Sequence, residues 1–200
     1  MSRLDLIETI KSLNDEDLEW LKIQITDLQT LRNTAKLNKD FGTIGNTDDT
    51  IEIYVDGSFN QDTEEYAYGV TVLLDEPMYF RKKFAKSPSS SMRNVAGEIE
   101  AARFAIQFAV KHNFKKCRIV YDYQGIEMWA TGKWKANKPE TKAYKEFFEL
   151  YKDKCDFEFR HVKGHTGIVD NEICDALAKS VLGIATAKKY NEAINKAITN

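Results

Sequence analysis

Four acidic residues and one histidine stand where their side chains could do chemistry together: Asp56, Glu98, Asp122, His165 and Asp175. Asp56 and Asp122 end apolar runs typical of strands, and Glu98 lies in the first turn of a long apolar helix. Oxygen ligands without a cysteine or histidine cluster suit Mg²⁺ or Mn²⁺ rather than zinc. Carboxylates from separate elements can bridge two such ions, one activating water and the other stabilising the leaving oxygen. The set predicts metal-dependent hydrolysis of a phosphodiester.

Most of these residues also have a plainer interpretation. Asp56 precedes Gly57, and Asp-Gly is a common turn pair. Asp122 lies just before a predicted helix, where aspartate serves well as an N-cap. His165 lies in the loop KGHTG, where a histidine can simply be solvated. A histidine would also suit a proton shuttle, because imidazole side chains in general titrate near neutrality.

The spacing within two helices favours the functional interpretation. Ala102 and Ala105 follow Glu98 at +4 and +7, so Glu98 is expected on a buried face, where an unpaired carboxylate is costly. A bound metal would remove that cost. Asp175 lies four residues after Asn171, on the same face of its helix.

The elements that must position these residues follow the order β-β-β-α-β-α-α-β-α. The predicted strands are IEIYVDG, ending at Asp56 and Gly57, then AYGVTVLL, MYFRKKFA, KCRIVYD and DFEFRHV. The predicted helices are VAGEIEAARFAIQFAVKH, GIEMWATG, ETKAYKEFFELYK and VDNEICDALAKSVLG. This order predicts an α/β fold, with one mixed sheet flanked by helices.

Three segments are expected along the chain: residues 1–45, 46–184 and 185–200. The first is predicted to form two helices, 3–12 and 15–33, with Asn14 capping the second, and then a linker. The apolar stripe of the second helix indicates a hairpin that packs on the catalytic domain or mediates self-association. The second segment is the predicted catalytic domain, and the third is a tail that can be helical.

Composition narrows the class of protein. Of 29 basic and 31 acidic residues, 6 and 10 lie in residues 1–50, which leaves 23 and 21 in residues 51–200. The second part is therefore compatible with a polyanionic ligand once metal cancels its clustered acids. The three cysteines form no CxxC pair, so buried free thiols are expected. No apolar run suggests a membrane span or a signal peptide, and we expect a cytoplasmic protein.

The motifs YVDGS, RNVAGE, IVYDYQGI and VKGHTGIVDNEICDALAK resemble those of the type 1 ribonuclease H family over about residues 50–183. The resemblance implies a five-stranded mixed sheet, with three antiparallel strands followed by parallel ones. It implies endonucleolytic cleavage of the RNA strand of RNA–DNA hybrids with two Mg²⁺ ions, leaving 5′-phosphate and 3′-hydroxyl ends. Matched residue by residue, the metal ligands are Asp56, Glu98, Asp122 and Asp175, and the catalytic loop histidine is His165. The implied substrate contacts are Gly57, Ser58, Asn94, Gln124 and Asn171.

The sequence departs from the family pattern in places. The loop FNQDTEEYAYG is acidic where many relatives are glycine-rich, which argues against its contact with substrate. A basic protrusion of some relatives is shortened to GKWKANKP, where Lys133 and Trp134 could still contact the DNA strand. Residues 1–45 do not resemble the hybrid-binding module of many relatives. Two alternatives remain open: another nuclease or strand-transfer enzyme of this fold, and a non-catalytic hybrid-binding protein.

Overall fold

The computed structural model describes residues 3–15, 17–18, 21–22, 25, 50–164 and 167–199. Helix α1 spans Arg3–Lys11. The side chain of Asn14 accepts a hydrogen bond from the backbone N–H of Asp17 at 2.9 Å. Asn14 therefore caps a second helical segment as predicted, whose described residues run as far as Ile25. The rest of the predicted helix 15–33 and the linker lie outside the described residues.

A six-stranded sheet forms the centre of the fold, in the order β5-β4-β1-β2-β3-β6. Its strands are β1 (Thr50–Phe59), β2 (Tyr66–Leu73), β3 (Met78–Phe84), β4 (Lys116–Tyr121), β5 (Asp156–His161) and β6 (Ile198–Thr199). Strands β1, β2 and β3 form an antiparallel meander. Strands β4 and β5 extend the sheet in parallel beyond β1.

This architecture confirms the predicted α/β class, and the sheet has one strand more than the five predicted. The tail was expected at most to be helical. It instead forms a 3₁₀ turn at Lys188–Tyr190, a short helix and the two-residue strand β6, which pairs in parallel with β3. A strand of two residues carries no periodic signal, so periodicity cannot predict it.

Five helices besides α1 have complete bounds. They are α2 (Asn94–Lys111), α3 (Gly125–Ala130), α4 (Pro139–Tyr151), α5 (Val169–Val181) and α6 (Asn191–Lys196). The loop predicted at residues 87–94 contains a 3₁₀ turn, Pro88–Met92. The elements predicted between residues 51 and 183 are thus all present, with shifted ends.

The two long helices beside the sheet cover opposite faces of it. Ile53 and Val55 of β1 join Phe104 of α2 in the main core, whereas Tyr54 packs with Cys174 of α5. Successive side chains of a strand point to opposite faces, so α2 and α5 sandwich β1. This explains why six consecutive residues of β1 are buried.

All three cysteines are free and buried, as predicted. Leu6, Ile7 and Ile25 near the N-terminus are 43%, 47% and 43% exposed, so what these helices pack against stays a prediction. No helix among the described residues has the length and apolar character to cross a membrane.

Candidate active site

The first predicted carboxylate lies inside a strand and not at its end. Strand β1 continues three residues past Asp56, and Gly57 pairs with Tyr68 of β2. The predicted strand end at Gly57 and the alternative Asp-Gly turn are therefore wrong. Asp56 is 7% exposed, and its Oδ1 accepts a hydrogen bond from the N–H of Gly57 at 2.7 Å.

Gly57 marks the place where helix α2 meets the strand. A Cβ at this position would lie 2.3 Å from the backbone nitrogen of Glu98 and 2.4 Å from the carbonyl oxygen of Asn94. Real Cβ atoms do not approach backbone atoms this closely, so only glycine fits. The first turn of α2 can therefore lie directly against β1, which brings Glu98 beside Asp56.

Asp122 comes to the same place from the neighbouring strand. It follows β4, which runs parallel to β1, and parallel strands end at one edge of a sheet. The N-cap residue of α3 is Gln124 and not Asp122, so the capping interpretation is wrong. The carbonyl oxygen of Asp122 lies 3.0 Å from Nε2 of His161. Gly164 passes close by, since a Cβ there would lie 2.7 Å from Asp122 Oδ2.

These three carboxylates form one tight group. One ligand oxygen each from Asp56, Glu98 and Asp122 lies within 4.8 Å of the others. Burial raises the pKa of Asp56 well above its ordinary value, and the charges of Asp122, Glu98 and Asp175 raise it further. Burial also raises the pKa of Glu98 to about 8, with the charge of Asp122 adding to it. Ionisation of the whole group is therefore costly unless a cation binds, since no positively charged side chain among the described residues pairs with these three carboxyls.

The donor set fits a divalent cation. Glu98 is 3% exposed, and its Oε1 accepts a hydrogen bond from Asn94 Nδ2 at 3.0 Å. Its other oxygen, Oε2, is buried with no hydrogen-bond partner among the described residues. A buried oxygen of this kind is costly unless something positive approaches it, and all-oxygen sites suit Mg²⁺ or Mn²⁺. The structure thus supports a metal-binding group.

The fourth predicted ligand is placed differently. Asp175 lies on α5 and faces the same cleft, but it is not a member of the group within 4.8 Å. Its Oδ2 instead accepts a hydrogen bond from Lys179 Nζ at 2.6 Å, one helical turn further on. The side chain of Asp175 is 22% exposed, so Asp175 is less buried than Glu98, which is 3% exposed as a whole residue. Asp175 therefore has a cation partner within the protein, which the other three lack among the described residues.

An open cleft of about 350 Å³ contains these groups. Besides the four carboxylates, three predicted substrate contacts line it: Gly57, Ser58 and Asn94. Three further polar or charged residues that we did not predict also line it: Gln61, Arg93 and Lys179. Lys179 could have been found from its spacing of four from Asp175, and Arg93 from its place before Asn94 in RNVAGE.

Four other predicted contacts lie away from the cleft lining. Asn171 is buried, and its Nδ2 is 3.5 Å from Asp122 Oδ2, so it sits behind the carboxylate. Gln124 is exposed at the start of α3. Lys133 is ion-paired with Glu127 at 2.5 Å. Trp134 is 39% exposed and stacks edge-on against Trp129.

The acidic loop after β1 is largely neutralised by lysines of the neighbouring strand and loop. Glu65 forms an ion pair with Lys83 of β3 at 2.9 Å, and Glu64 forms one with Lys86. Ser90 Oγ also donates a hydrogen bond to the carbonyl oxygen of Glu64 at 2.7 Å. Two of the three acids of this loop are therefore paired with lysines, which reduces the negative charge that it adds beside the cleft. His165, the predicted catalytic histidine, lies outside the described residues.

Known proteins resemble this chain in sequence and in fold. Human ribonuclease H1 is 35% identical over 98 residues, which cover 43% of this chain. The chain spans about a third of the length of that relative, 34%. The crystal structure of RNase H1 from the halophilic archaeon Halobacterium salinarum superposes with a TM-score of 0.57 at 22% identity, over 68% of this chain and 98% of the other.

Two more solved structures share the fold. The N-terminal RNase H domain of a Mycobacterium tuberculosis protein gives a TM-score of 0.55 at 15% identity, over 66% of this chain and 98% of that one. LC11-RNase H1, solved in complex with an RNA/DNA hybrid, gives 0.53 at 16% identity, over 66% and 99%. The RNase H family model matches residues 48–182, more than half of the sequence. This match, together with the carboxylate group, shows that the chain belongs to the RNase H family.

Proposed function

We propose that this chain is an endonuclease that hydrolyses the RNA strand of RNA–DNA hybrids and leaves 5′-phosphate and 3′-hydroxyl ends. The observation that carries the proposal is the group of three carboxylates, which converge within 4.8 Å from β1, α2 and the end of β4. Membership of the RNase H family supports the substrate class. The likeness to a hybrid-bound RNase H1 supports it too, since that structure places a hybrid on the same fold.

The metal ligands would be Asp56, Glu98, Asp122 and Asp175, holding two Mg²⁺ or Mn²⁺ ions. When bound, such ions supply an activated water and stabilise charge on the leaving oxygen. Two asparagines would orient these ligands. Asn94 donates a hydrogen bond to Glu98, and the Asn171 side-chain amide faces Asp122 Oδ2. His165, in the loop before α5, would move a proton during attack or product release.

The walls of the cleft would hold the hybrid. Gly57 and Ser58 of β1 line the cleft beside the carboxylates, and Arg93 offers positive charge for a phosphate. Hybrid preference requires contacts to 2′-hydroxyls on one strand and to a deoxyribose backbone on the other. Gln124, Lys133 and Trp134 remain proposed contacts further along the surface, where a tryptophan plane could stack on a sugar or base.

The test is cleavage of a labelled RNA–DNA hybrid with Mg²⁺, with Mn²⁺, and with EDTA. We expect cuts within the RNA strand in both metals and none in EDTA. Asp56→Asn and Asp122→Asn should each abolish most of the rate. Asp153→Asn is the matched control, because Asp153 lies in the exposed turn before β5, at the other end of the strands. If Asp56→Asn and Asp122→Asn cut as fast as the wild type, these residues are not the site.

Parallel substrates separate the proposal from its alternatives. Duplex RNA and duplex DNA should remain uncut under conditions that cut the hybrid. Cleavage or joining of duplex DNA would instead favour a strand-transfer enzyme. Hybrid binding without turnover in either metal would favour a binding protein.

Residues 1–45 precede the catalytic domain and contain the N-terminal helices. We propose that residues 1–45 pack on the catalytic domain or mediate self-association, since their net negative charge disfavours nucleic acid. Deleting them should change the oligomeric state or thermal stability, measured by light scattering and calorimetry. A loss of hybrid affinity alone would contradict this. A cytoplasmic location stays a prediction.

A further inference from the structure

Asp122 lies just past the paired part of the sheet. The register of β4 and β5 ends at Tyr121 and His161, which are partners in the parallel ladder. One more main-chain hydrogen bond follows, from the N–H of Val162 to the carbonyl oxygen of Tyr121 at 2.8 Å. Asp122 is the first residue after β4, so strand pairing does not fix it, although its carboxylate belongs to the tight group.

The side chain of His161 continues the link between the two strands past their paired ends. Its Nε2 lies 3.0 Å from the backbone carbonyl oxygen of Asp122. A carbonyl oxygen can only accept a hydrogen bond, so Nε2 carries the proton and donates it. The bond joins the last residue of β5 to the first residue after β4. The backbone of Asp122 is therefore held by a side chain.

The imidazole of His161 is exposed, but it rests on a fixed neighbour. Its ring packs against that of Tyr121, with ring centroids 5.6 Å apart. Tyr121 is 1% exposed, and its hydroxyl donates a hydrogen bond to Glu127 Oε2 at 2.6 Å. Lys133 pairs with the other oxygen of Glu127 at 2.5 Å. The surface against which the imidazole lies is therefore itself held in place.

The carboxylate of Asp122 is confined from the same side of the molecule. A Cβ at Gly164 would lie 2.7 Å from Oδ2, so the chain after β5 passes directly beside this oxygen. The side-chain amide of Asn171 is 3.5 Å from the same oxygen. With its carbonyl oxygen held by His161, Asp122 has little freedom to turn its carboxylate away from the tight group.

We propose that His161 is a positioning residue for Asp122. Its hydrogen bond to the backbone fixes the carboxylate for metal binding, and the imidazole is not itself a ligand. Metal sites depend strongly on the groups that orient their ligands. This role differs from the proton transfer proposed for His165. The metal-binding role of Asp122 rests on the proposed function, whereas the hydrogen bond from His161 does not.

The first experiment observes the hydrogen bond in metal-free protein. Nitrogen NMR of the neutral imidazole shows which ring nitrogen carries the proton, and we expect Nε2. The carbon NMR shift of the Asp122 carbonyl should change in His161→Phe and return in His161→Gln. Phenylalanine keeps a ring against Tyr121 but cannot donate, whereas the glutamine amide can reach the same oxygen. A proton on Nδ1, or an unchanged carbonyl shift in His161→Phe, would overturn the proposal.

The second experiment measures Mn²⁺ binding by titration calorimetry, without substrate. His161→Phe should weaken binding by about fivefold, the equivalent of one lost hydrogen bond, and His161→Gln should recover most of the loss. Thermal unfolding in EDTA should be nearly the same in all three proteins. Arg160→Gln is the matched control, because it removes an exposed ion pair with Glu52 on the opposite face of β5.

A merely structural role for His161 predicts a different result. Equal Mn²⁺ affinity in the wild type and His161→Phe would overturn the proposal, and so would a loss that His161→Gln does not recover. If the wild type binds no Mn²⁺, the proposed function fails, and the carbonyl shift alone decides whether His161 anchors Asp122.

Cleavage of a labelled hybrid links the effect to the proposed reaction. His161→Phe should need about fivefold more Mg²⁺ for its half-maximal rate, with a rate at saturating Mg²⁺ close to that of the wild type. His161→Gln should need about as much Mg²⁺ as the wild type. An unchanged Mg²⁺ requirement in His161→Phe would overturn the positioning role.

Discussion

The carboxyl groups on the two walls of the cleft differ in burial and in ion pairing. On the wall formed by β1, β4 and α2, Asp56 and Glu98 are buried beside Asp122, and Glu98 Oε2 has no hydrogen-bond partner among the described residues. On the wall formed by α5, Asp175 is partly exposed and paired with Lys179. The donor set of the first wall fits an external cation. On the second wall, Lys179 already neutralises one oxygen of Asp175.

This difference predicts that the two walls contribute unequally to catalysis. Asp122→Asn should lower kcat by about 10³-fold, because it removes a ligand from the tight group. Asp175→Asn should lower kcat by only about tenfold, because its position is outside the group and is shared with Lys179. Single-turnover cleavage of a labelled hybrid at saturating Mg²⁺ measures both. Equal losses would mean that the two walls act as one unit.

The close approach that builds the first wall can be tested by stability. Gly57→Ala should lower the free energy of unfolding by about 4 kcal/mol, since the new Cβ would meet backbone atoms at 2.3 Å. Gly132→Ala is the control. Gly132 has a φ of +72°, which disfavours a side chain, but the nearest described atom, Lys145 Nζ, would lie 3.5 Å from a Cβ there. It should cost about 1 kcal/mol. Urea unfolding of both variants gives the comparison, and similar costs would argue against a tight β1–α2 contact.

Buried acid on the first wall should make stability depend on pH when metal is absent. The folded pKa of Glu98 is about 8, above its ordinary 4.5, so the folded state keeps a proton that the unfolded state releases between those values. Its contribution is complete below about 4.5 and is lost as pH rises through 8, on the order of 5 kcal/mol. Denaturant unfolding in EDTA from pH 5 to 9 should show this decline.

Glu98→Gln should flatten that decline, because the amide cannot ionise. Glu149→Gln, an exposed glutamate on α4, is the control and should follow the wild type. Adding Mg²⁺ should restore stability to the wild type at pH 8 to 9 and much less to Glu98→Gln. A wild-type curve as flat as that of Glu98→Gln would contradict the burial of this acid.

The smallest effect is expected on the second wall. Lys179→Ala should tighten binding of a divalent ion at Asp175 by a few fold, about 1 kcal/mol, because no internal cation competes for its Oδ2. Titration calorimetry with Ca²⁺ in the absence of substrate measures this. Lys196→Ala removes a similar i,i+4 pair on α6 and should leave the affinity unchanged. Weaker ion binding in Lys179→Ala would show that the lysine supports the site.

The sequence predicted the fold wherever periodicity was long. The apolar helix α2, the alternating strand β5 and the meander of β1 to β3 each carry enough residues for one pattern to dominate. Prediction from the sequence failed where the apolar pattern was short or could be interpreted in two ways. β6 has two residues, and the pair Asp56–Gly57 looks like a turn because the packing partner of the glycine, α2, lies some forty residues later in the chain.

The candidate site divides in the same way. The side-chain types of Asp56, Glu98, Asp122 and Asp175, their order, and the family were readable from the sequence, because chemistry and spacing are local properties. Only the tertiary structure showed that Asp56, Glu98 and Asp122 form one tight group and that Asp175 lies outside it. The distances between these carboxylates depend on the approach of α2 to β1 and on the ion pair of Asp175 with Lys179. The contact of Glu172 with Lys189 and Tyr190 likewise forms only when the segment after α5 turns back along that helix, because these residues share no local sequence pattern.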